Sequence, residues 1–410
     1  MIASARGVLR AALWFGMGPT GASRPSLQKR PTDKWPPVPV GELKCVPRIA
    51  DHPKPQRVEL RHVGDHVAAP GVMSSARHAT EGEATFGDAA NREPQVGLVL
   101  GAGGVAGGAF HAGVLAAIEE STGWDPRRAT VVVGTSAGSI TSTSLRAGLT
   151  AADMFARAED RPMSPAGTRL LAGVGPPRRP PALRSGGRLR PPGDIAVRLA
   201  RAAAHPLEAR PLALLAGLMP EGTVDADFIS EGIAGLALGS WPSEPLWVCA
   251  VRQRDGHLVV FGRDHRPALP VAVAASCAIP GFFRPVRIDG EAFVDGGTHS
   301  PTNADVLVDV DLDLVLVSSP MSMAGRRVRL AVDQPSRRWS RLVLEAEARR
   351  LRRRGMQVIA FQPTAEDAAV IGPNPMDPDR RAAVAHQARE SALRRLERAD
   401  TRARLGAISA

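Results

Sequence analysis

Three short stretches hold the residues whose types and spacing suit a reaction. Gly134-Thr135-Ser136-Ala137-Gly138 fits G-x-S-x-G, the pattern that presents a serine on a strained strand-to-helix turn. Gly134 and Gly138 remove side chains that would collide where the backbone folds back, and a helix starting at Ala137 aims its dipole at developing negative charge. Alone the pattern is a weak signal; here continuous β-formers precede it and helix-tolerant residues follow. The second stretch is Gly101-Ala102-Gly103-Gly104-Val105-Ala106-Gly107-Gly108. Backbone amides exposed in such a loop bind an anion, either a dinucleotide phosphate or the oxyanion of acyl transfer. Gly101-x-Gly103-x-x-Ala106 nearly fits the dinucleotide fingerprint, but the next strand ends in Gly134-Thr135-Ser136 without the carboxylate that would hold a ribose. The third is Phe293-Val294-Asp295-Gly296-Gly297, where two permissive glycines let an aspartate turn back toward the sheet; in isolation it reads as an ordinary turn.

The elements around these motifs have to bring them together. Val96 to Leu100 reads as a short buried strand, 101 to 108 as a glycine loop, and about 109 to 120 as a helix with Phe110, Val114, Leu115 and Ile118 on one face. Residues 95 to 118 lack Lys, Arg, Asp and Glu, long enough for a membrane span, but seven glycines in that stretch argue against one. A second strand, Thr130 to Gly134, runs straight into Ser136 and a helix of small residues. Strand, loop, helix, strand, turn, helix implies a mainly parallel sheet with helices on both faces. Further strands are expected at 247–251, 257–262, 293–294, 312–317 and 357–361, and helices at about 270–278, 336–354 and 378–398. There is no internal repeat.

Taken together and in this order, the three motifs resemble the patatin-like phospholipase family. Leu100 to Leu115 is similar to that family's glycine-rich oxyanion segment ending in Ala112-Gly113-Val114-Leu115, Ser136 matches its nucleophile, and Asp295 matches the acid of its Asp-Gly-Gly or Asp-Gly-Ala motif. Ala274 to Phe283, with Ile279-Pro280-Gly281, resembles the segment before that acid, and Asp289-Gly290 precedes the strand that carries it. The resemblance covers about 96 to 320. It implies an α/β three-layer sandwich and a serine acyl hydrolase acting on phospholipid or lysophospholipid esters. In that reading Ser136 is the nucleophile, Asp295 accepts and returns its proton, and the amides of Gly103, Gly104, Val105 and Ala137 form the oxyanion hole. Gly134, Gly138, Gly296 and Gly297 are the motif glycines, and neither metal nor cofactor is called for. The sequence departs from the family at Val105, which stands at the third glycine of Gly-Gly-Gly-x-Arg-Gly, and at Gly107, which stands at the arginine.

Two other readings compete. A Ser-His-Asp α/β-hydrolase would use His257 or His299 as base, but His299 follows Asp295 by only four residues, too short for that fold's order of serine, acid, histidine. A catalytically silent lipid-binding protein is the other, on the strength of the altered glycine motif. His111, on the helix after the glycine segment, is placed to hydrogen-bond it.

Composition bounds the rest. The chain has 410 residues, 44% hydrophobic and 23% charged, which excludes a wholly disordered, collagen-like or polytopic membrane chain. Residues 1–94 lack periodic apolar patterning and are expected to be an unstructured extension; 95–320 form the core, and 321–410 a helical region that completes the domain. Arg6 and Arg10 before Ala11 to Gly18 suggest a signal peptide, but the apolar stretch is short and holds two glycines; a start codon upstream of the true one explains the extension equally well. Cys45, Cys249 and Cys277 cannot form a disulfide framework, and the last two read as buried thiols in a reducing, cytoplasmic setting. The formal net charge is +11, and only Lys29, Lys34, Lys44 and Lys54 are lysines among 52 basic residues. Two basic segments stand out: 162–193, read as a Pro/Arg-rich loop or lid, and 326–354, with eleven arginines against Asp333, Glu345 and Glu347. Trp339, Leu342, Val343 and Leu351 would bury one face of the latter. The expected partners are a lipid ester and, peripherally, an anionic membrane, with no nucleic acid.

Overall fold

The computed structural model describes residues 93–175, 222–236, 238–324 and 334–406. The extension 1–94 up to Arg92, Cys45, the basic segment beyond Gly175 and residues 326–333 lie outside the described residues.

The strands are β1 Val96–Leu100, β2 Val131–Thr135, β3 Leu246–Arg252, β4 Leu258–Phe261, β5 Val286–Ile288, β6 Glu291–Asp295, β7 Leu314–Ser318 and β8 Gln357–Phe361. They form one sheet in the order β5-β6-β3-β2-β1-β7-β8, with β4 also on β3. The pairs β1–β2, β1–β7, β2–β3 and β7–β8 are parallel. The pairs β3–β4, β3–β6 and β5–β6 are antiparallel, so the sheet is mostly rather than wholly parallel. For β3–β4 and β5–β6 the cause is local: short connections can join only antiparallel strands, and Asp289-Gly290, at φ 50° and 81°, makes a two-residue hairpin turn between β5 and β6.

The helices are α1 Gly104–Thr122, α2 Ala137–Arg146, α3 Ala151–Ala158, α4 Pro165–Leu170, α5 Asp227–Ala234, α6 Leu269–Ser276, α7 Gln334–Arg353, α8 Ala365–Ile371, α9 Arg381–Leu396 and α10 Ala399–Leu405. The central strands are apolar throughout because both faces are covered. Leu98, Leu100, Leu314 and Leu316 join a core with Phe110, Leu115 and Ala388 from α1 and α9. Val99, Val133, Val315 and Val317 point the other way, onto Leu344, Ala348 and Leu351 of α7. Alternate residues of one strand thus feed two helical layers. Gly113 lets α1 and α9 approach closely, since a Cβ there would sit 2.3 Å from the Ala385 carbonyl oxygen.

Three expectations need correction. The first helix begins at Gly104, not near Ala109, so most of the glycine stretch is helix rather than loop. Glycine costs about 1 kcal/mol per position in a helix interior, but here the segment is clamped: Ala106 N–H donates to the Pro375 carbonyl at 2.9 Å. Inside the stretch read as a loop, Pro165–Leu170 is a short helix capped by Ser164, whose side chain accepts from the Gly167 amide. On α7, Leu342 is 63% exposed while Arg337 is buried. The helical period puts Ser340, Val343, Leu344, Glu347, Ala348 and Leu351 on the inner stripe and leaves Leu342 off it, and Arg337 reaches in to donate to the Pro320 carbonyl at 3.1 Å. Helices α3, α5, α8 and α10 have no counterpart in the sequence reading.

Candidate active site

Strand register brings the three motifs to one level of the sheet. Leu100 pairs with Gly134 and with Ser318, Thr135 with Cys249, and Ala250 with Asp295. The neighbouring parallel strands β1 and β2 therefore lead into the glycine segment and Ser136, while β6, antiparallel on the far side of β3, ends at Asp295 on the same level, at the carboxyl end of the parallel strands where α/β sheets place ligands.

Ser136 sits between β2 and α2 at φ 54°, ψ −123°, a region that costs a non-glycine residue on the order of 1–3 kcal/mol. Its backbone is held on both sides. The Ser136 N–H donates to Ser276 Oγ at 2.9 Å, and Ser276 donates onward to the Cys249 carbonyl at 2.7 Å. The Ser136 carbonyl accepts from Ser139 Oγ at 2.6 Å and Ser139 N–H at 2.8 Å. Its side chain makes no capping bond to α2, so the hydroxyl is left for other work. The flanking glycines are steric necessities: a Cβ on Gly138 would lie 1.9 Å from the Leu100 carbonyl oxygen, and one on Gly134 2.5 Å from the Ser139 Cα.

Asp295 is 4% exposed. Burial pushes its carboxyl up from 3.8 to about 7, and hydrogen bonding from Ser136 and the Gly297 amide pulls it part of the way back. The Gly297 N–H donates to Asp295 Oδ1 at 2.6 Å, and Thr298 Oγ1 donates to the Asp295 carbonyl at 2.8 Å. Gly296 is required by proximity to β3, since a Cβ would sit 2.3 Å from the Cys249 carbonyl oxygen; Gly297 faces Ala102 of the first motif.

A cavity of about 590 Å³ opens over Ser136. Gly104, Val105 and Ala137 line it with Ser136, whereas Gly103 does not and instead backs against Pro320 at the start of α1. Gly104 and Val105 occupy the first turn of α1 and Ala137 that of α2, where a helix has no carbonyl of its own for the amides. Ser136 N–H is already engaged, so the Ala137 amide is the available donor on that side. Ile140, one of two large exposed apolar side chains among the described residues, lies at the cavity with Met154, Leu171, Ile233, Ile279 and Phe283.

Around this centre the structure adds residues that the motif reading did not single out. Asn303 is fully buried in the left-handed region, φ 51°. Its Nδ2 donates to Thr135 Oγ1 at 3.1 Å, the Gly296 carbonyl at 3.3 Å and the Ser300 carbonyl at 2.8 Å, tying the residue before Ser136 to the residue after Asp295. His299 Nδ1–H donates to Asn303 Oδ1 at 2.9 Å. Glu347 of α7 accepts from Ser300 Oγ at 2.5 Å, Thr302 Oγ1 at 2.6 Å and the Ala304 amide at 3.0 Å. A glutamate on the apolar stripe of a helix was the available signal.

His111 is fully buried and held neutral, its pKa lowered to about 4 by desolvation. Nε2–H donates to the Gly101 carbonyl at 2.8 Å, so Nδ1 accepts from Ser318 Oγ at 2.8 Å; the ring braces the glycine segment as its position suggested. His257 is exposed. Cys249 and Cys277 are free and buried, with both thiols pushed up by desolvation; Cys277 lines the cavity. Among the described residues no helix is long and apolar enough to cross a membrane.

Comparison with known proteins gives three findings. The family model described as Patatin-like phospholipase matches residues 98–308. Among solved structures, VipD from Legionella pneumophila is similar at 14% identity and TM-score 0.33, covering 75% of this chain and 67% of that one. The ExoU-SpcU complex of the Pseudomonas aeruginosa type III secretion system is similar at 20% identity and TM-score 0.28, covering 75% of this chain and 53% of that one. The chain thus spans about half the length of the latter.

Proposed function

The chain belongs to the patatin-like phospholipase family, and from that premise we propose that it is a serine acyl hydrolase of lipid esters, phospholipid or lysophospholipid, working through a Ser136–Asp295 dyad. The observation that carries this is a serine on a strained elbow hydrogen-bonded to a buried carboxyl, which desolvation pushes up to about 7. An aspartate near pKa 4 is a poor base toward an alcohol; burial lifts this one into the range where a base is both ionised and basic.

Ser136 Oγ attacks the ester carbonyl while Asp295 takes its proton, then returns it to the departing alcohol. Water deacylates the enzyme by the reverse use of the same two groups. Amides of Gly104, Val105 and Ala137, with Gly103 behind them, stabilise the oxyanion. Residues 95–406 act as one catalytic unit in this reading, because β8 pairs with β7 and α9 packs on α1. The arginine-rich outer face of α7, with exposed Leu342 among Arg338, Arg349 and Arg353, supports peripheral contact with anionic membrane.

Labelling with a fluorophosphonate probe tests the proposal. Wild type should be labelled and Ser136→Ala should not; an unlabelled wild type that still binds lipid would favour a silent lipid-binding protein.

A further inference from the structure

The cavity over Ser136 is apolar along most of its wall, yet Arg157 and Arg381 both line it. Arg381, the first residue of α9, is anchored at the end of α3: its guanidinium donates to the Ala158 carbonyl at 3.2 Å and pairs with Asp160. Arg157, in the last turn of α3, has no such anchor. It is half-buried, and among the described residues its guanidinium makes no hydrogen bond or ion pair. The nearby carboxylates are committed elsewhere, Asp160 to Arg381 and Glu159 to Arg161 and His386. Glu231, the one acidic residue lining the cavity among the described residues, is engaged as well. Desolvation and the like charge of Arg381 both pull the Arg157 pKa down. A desolvated cation beside another cation is unfavourable until an anion arrives, and residues 95–118, which run past Ser136, contain no Lys or Arg that would attract one.

We infer that Arg157, flanked by Arg381, is the subsite for the phosphate of the lipid substrate and gives this cavity its preference for phosphate-bearing esters over neutral ones. The inference rests on the hydrolase reading of Ser136. A guanidinium presents a planar fork to phosphate oxygens, and relief of repulsion from Arg381 adds to the gain. The acyl chain then lies against the apolar wall formed by Met154, Leu171, Ile233 and Phe283, with the scissile ester between chain and headgroup, at Ser136. Arg157 is a specificity residue here, not a participant in bond making.

The test compares three esters of one short acyl chain, used below micelle formation: a lysophospholipid, the matching monoacylglycerol and the nitrophenyl ester. Arg157→Met keeps the apolar stem that covers the cavity wall and removes the charge. It should lower kcat/KM for the lysophospholipid about 10- to 100-fold, the usual worth of a charge-assisted bond, leave the two neutral esters within about threefold, and leave fluorophosphonate labelling unchanged. Arg157→Lys should recover part of the loss. Equal loss on all three esters would show that Arg157 only packs, and no loss on any would remove it from substrate recognition. A thermal-shift assay with ether-linked lysophospholipid and ether-linked glycerol, neither hydrolysable, needs no activity and so separates this inference from the dyad. Wild type should be stabilised more by the phosphate-bearing ether, and Arg157→Met should lose that difference. Stabilisation by inorganic phosphate that depends on Arg157, without discrimination between the ethers, would assign the site to a free anion and overturn the inference.

Discussion

Two buried carboxyls, Asp295 and Glu347, experience similar desolvation but receive different hydrogen bonds. Burial is the largest influence on each and raises both pKa values, with Asp305 adding to the effect at Glu347. What separates them is hydrogen-bond saturation. Glu347 has both oxygens occupied, by Ser300 on one and by Thr302 and Ala304 on the other. Asp295 has one firm donor, the Gly297 amide on Oδ1, and otherwise only Ser136. A saturated carboxyl fastens the turn after Asp295 to α7, whereas one with an open lone pair beside a serine hydroxyl can take a proton. Burial supplies the altered pKa, and the number of remaining acceptor sites decides between chemistry and fastening.

The largest effects are expected at the proposed dyad. Ser136→Ala and Asp295→Asn should each lower acylation by about a thousandfold or more, read by burst kinetics on a nitrophenyl ester. Asp295→Asn keeps size and removes the proton acceptor, so near-normal activity in that variant would transfer the base role to another group.

At Glu347 the effect should fall on folding. Glu347→Ala leaves two hydroxyls and an amide buried without their acceptor, a cost of about 3 kcal/mol in urea unfolding. The fluorophosphonate labelling that remains below the transition should still require Ser136. A variant as stable as wild type would mean that the turn stands without α7.

A pH series sharpens the contrast, because stability and activity should move in opposite directions. Asp295 has a folded pKa raised from 3.8 to about 7, so the folded state holds its proton more tightly than the unfolded chain. Its contribution to stability is complete below about pH 4 and disappears as pH rises through 7, an effect on the order of 4 kcal/mol. In the proposed dyad catalysis needs the ionised carboxylate, so activity should rise over the same interval. In Asp295→Asn, thermal unfolding between pH 5 and 8 should show a smaller fall than in wild type; an unchanged slope would locate the titration elsewhere.

Asn303→Ala, which unties Thr135 from Gly296 without touching either carboxyl, should cost about 1–3 kcal/mol of stability. Smallest of all, His257→Gln should change nitrophenyl ester hydrolysis less than about twofold, since the residue is exposed and outside the cavity lining; a loss as deep as that at Ser136 would restore the histidine-based triad.

What could be read along the chain is what short-range sterics and periodicity impose. G-x-S-x-G forecasts an elbow because only glycine fits against Leu100 and Ser139 at those positions, and continuous apolar runs forecast strands covered on both faces. Those rules act within a few residues, so β1, β2 and α2 were legible, as were their places beside the motifs. The start of α1 was not, because glycine propensity argues against a helix from Gly104 and the opposing influence is a carbonyl at Pro375, far along the chain. Helix α3 spans only eight residues, too short a stretch for its apolar period to be read from the sequence, yet it delivers Arg157 to the cavity. Likewise Asn303 and Glu347 acquire their roles only when strand order sets β6 beside β3 and the 296–304 turn beneath α7. Residue identity determined which groups are able to react. Desolvation and hydrogen-bond saturation, which depend on every neighbour packed around a group, were decided by the tertiary structure.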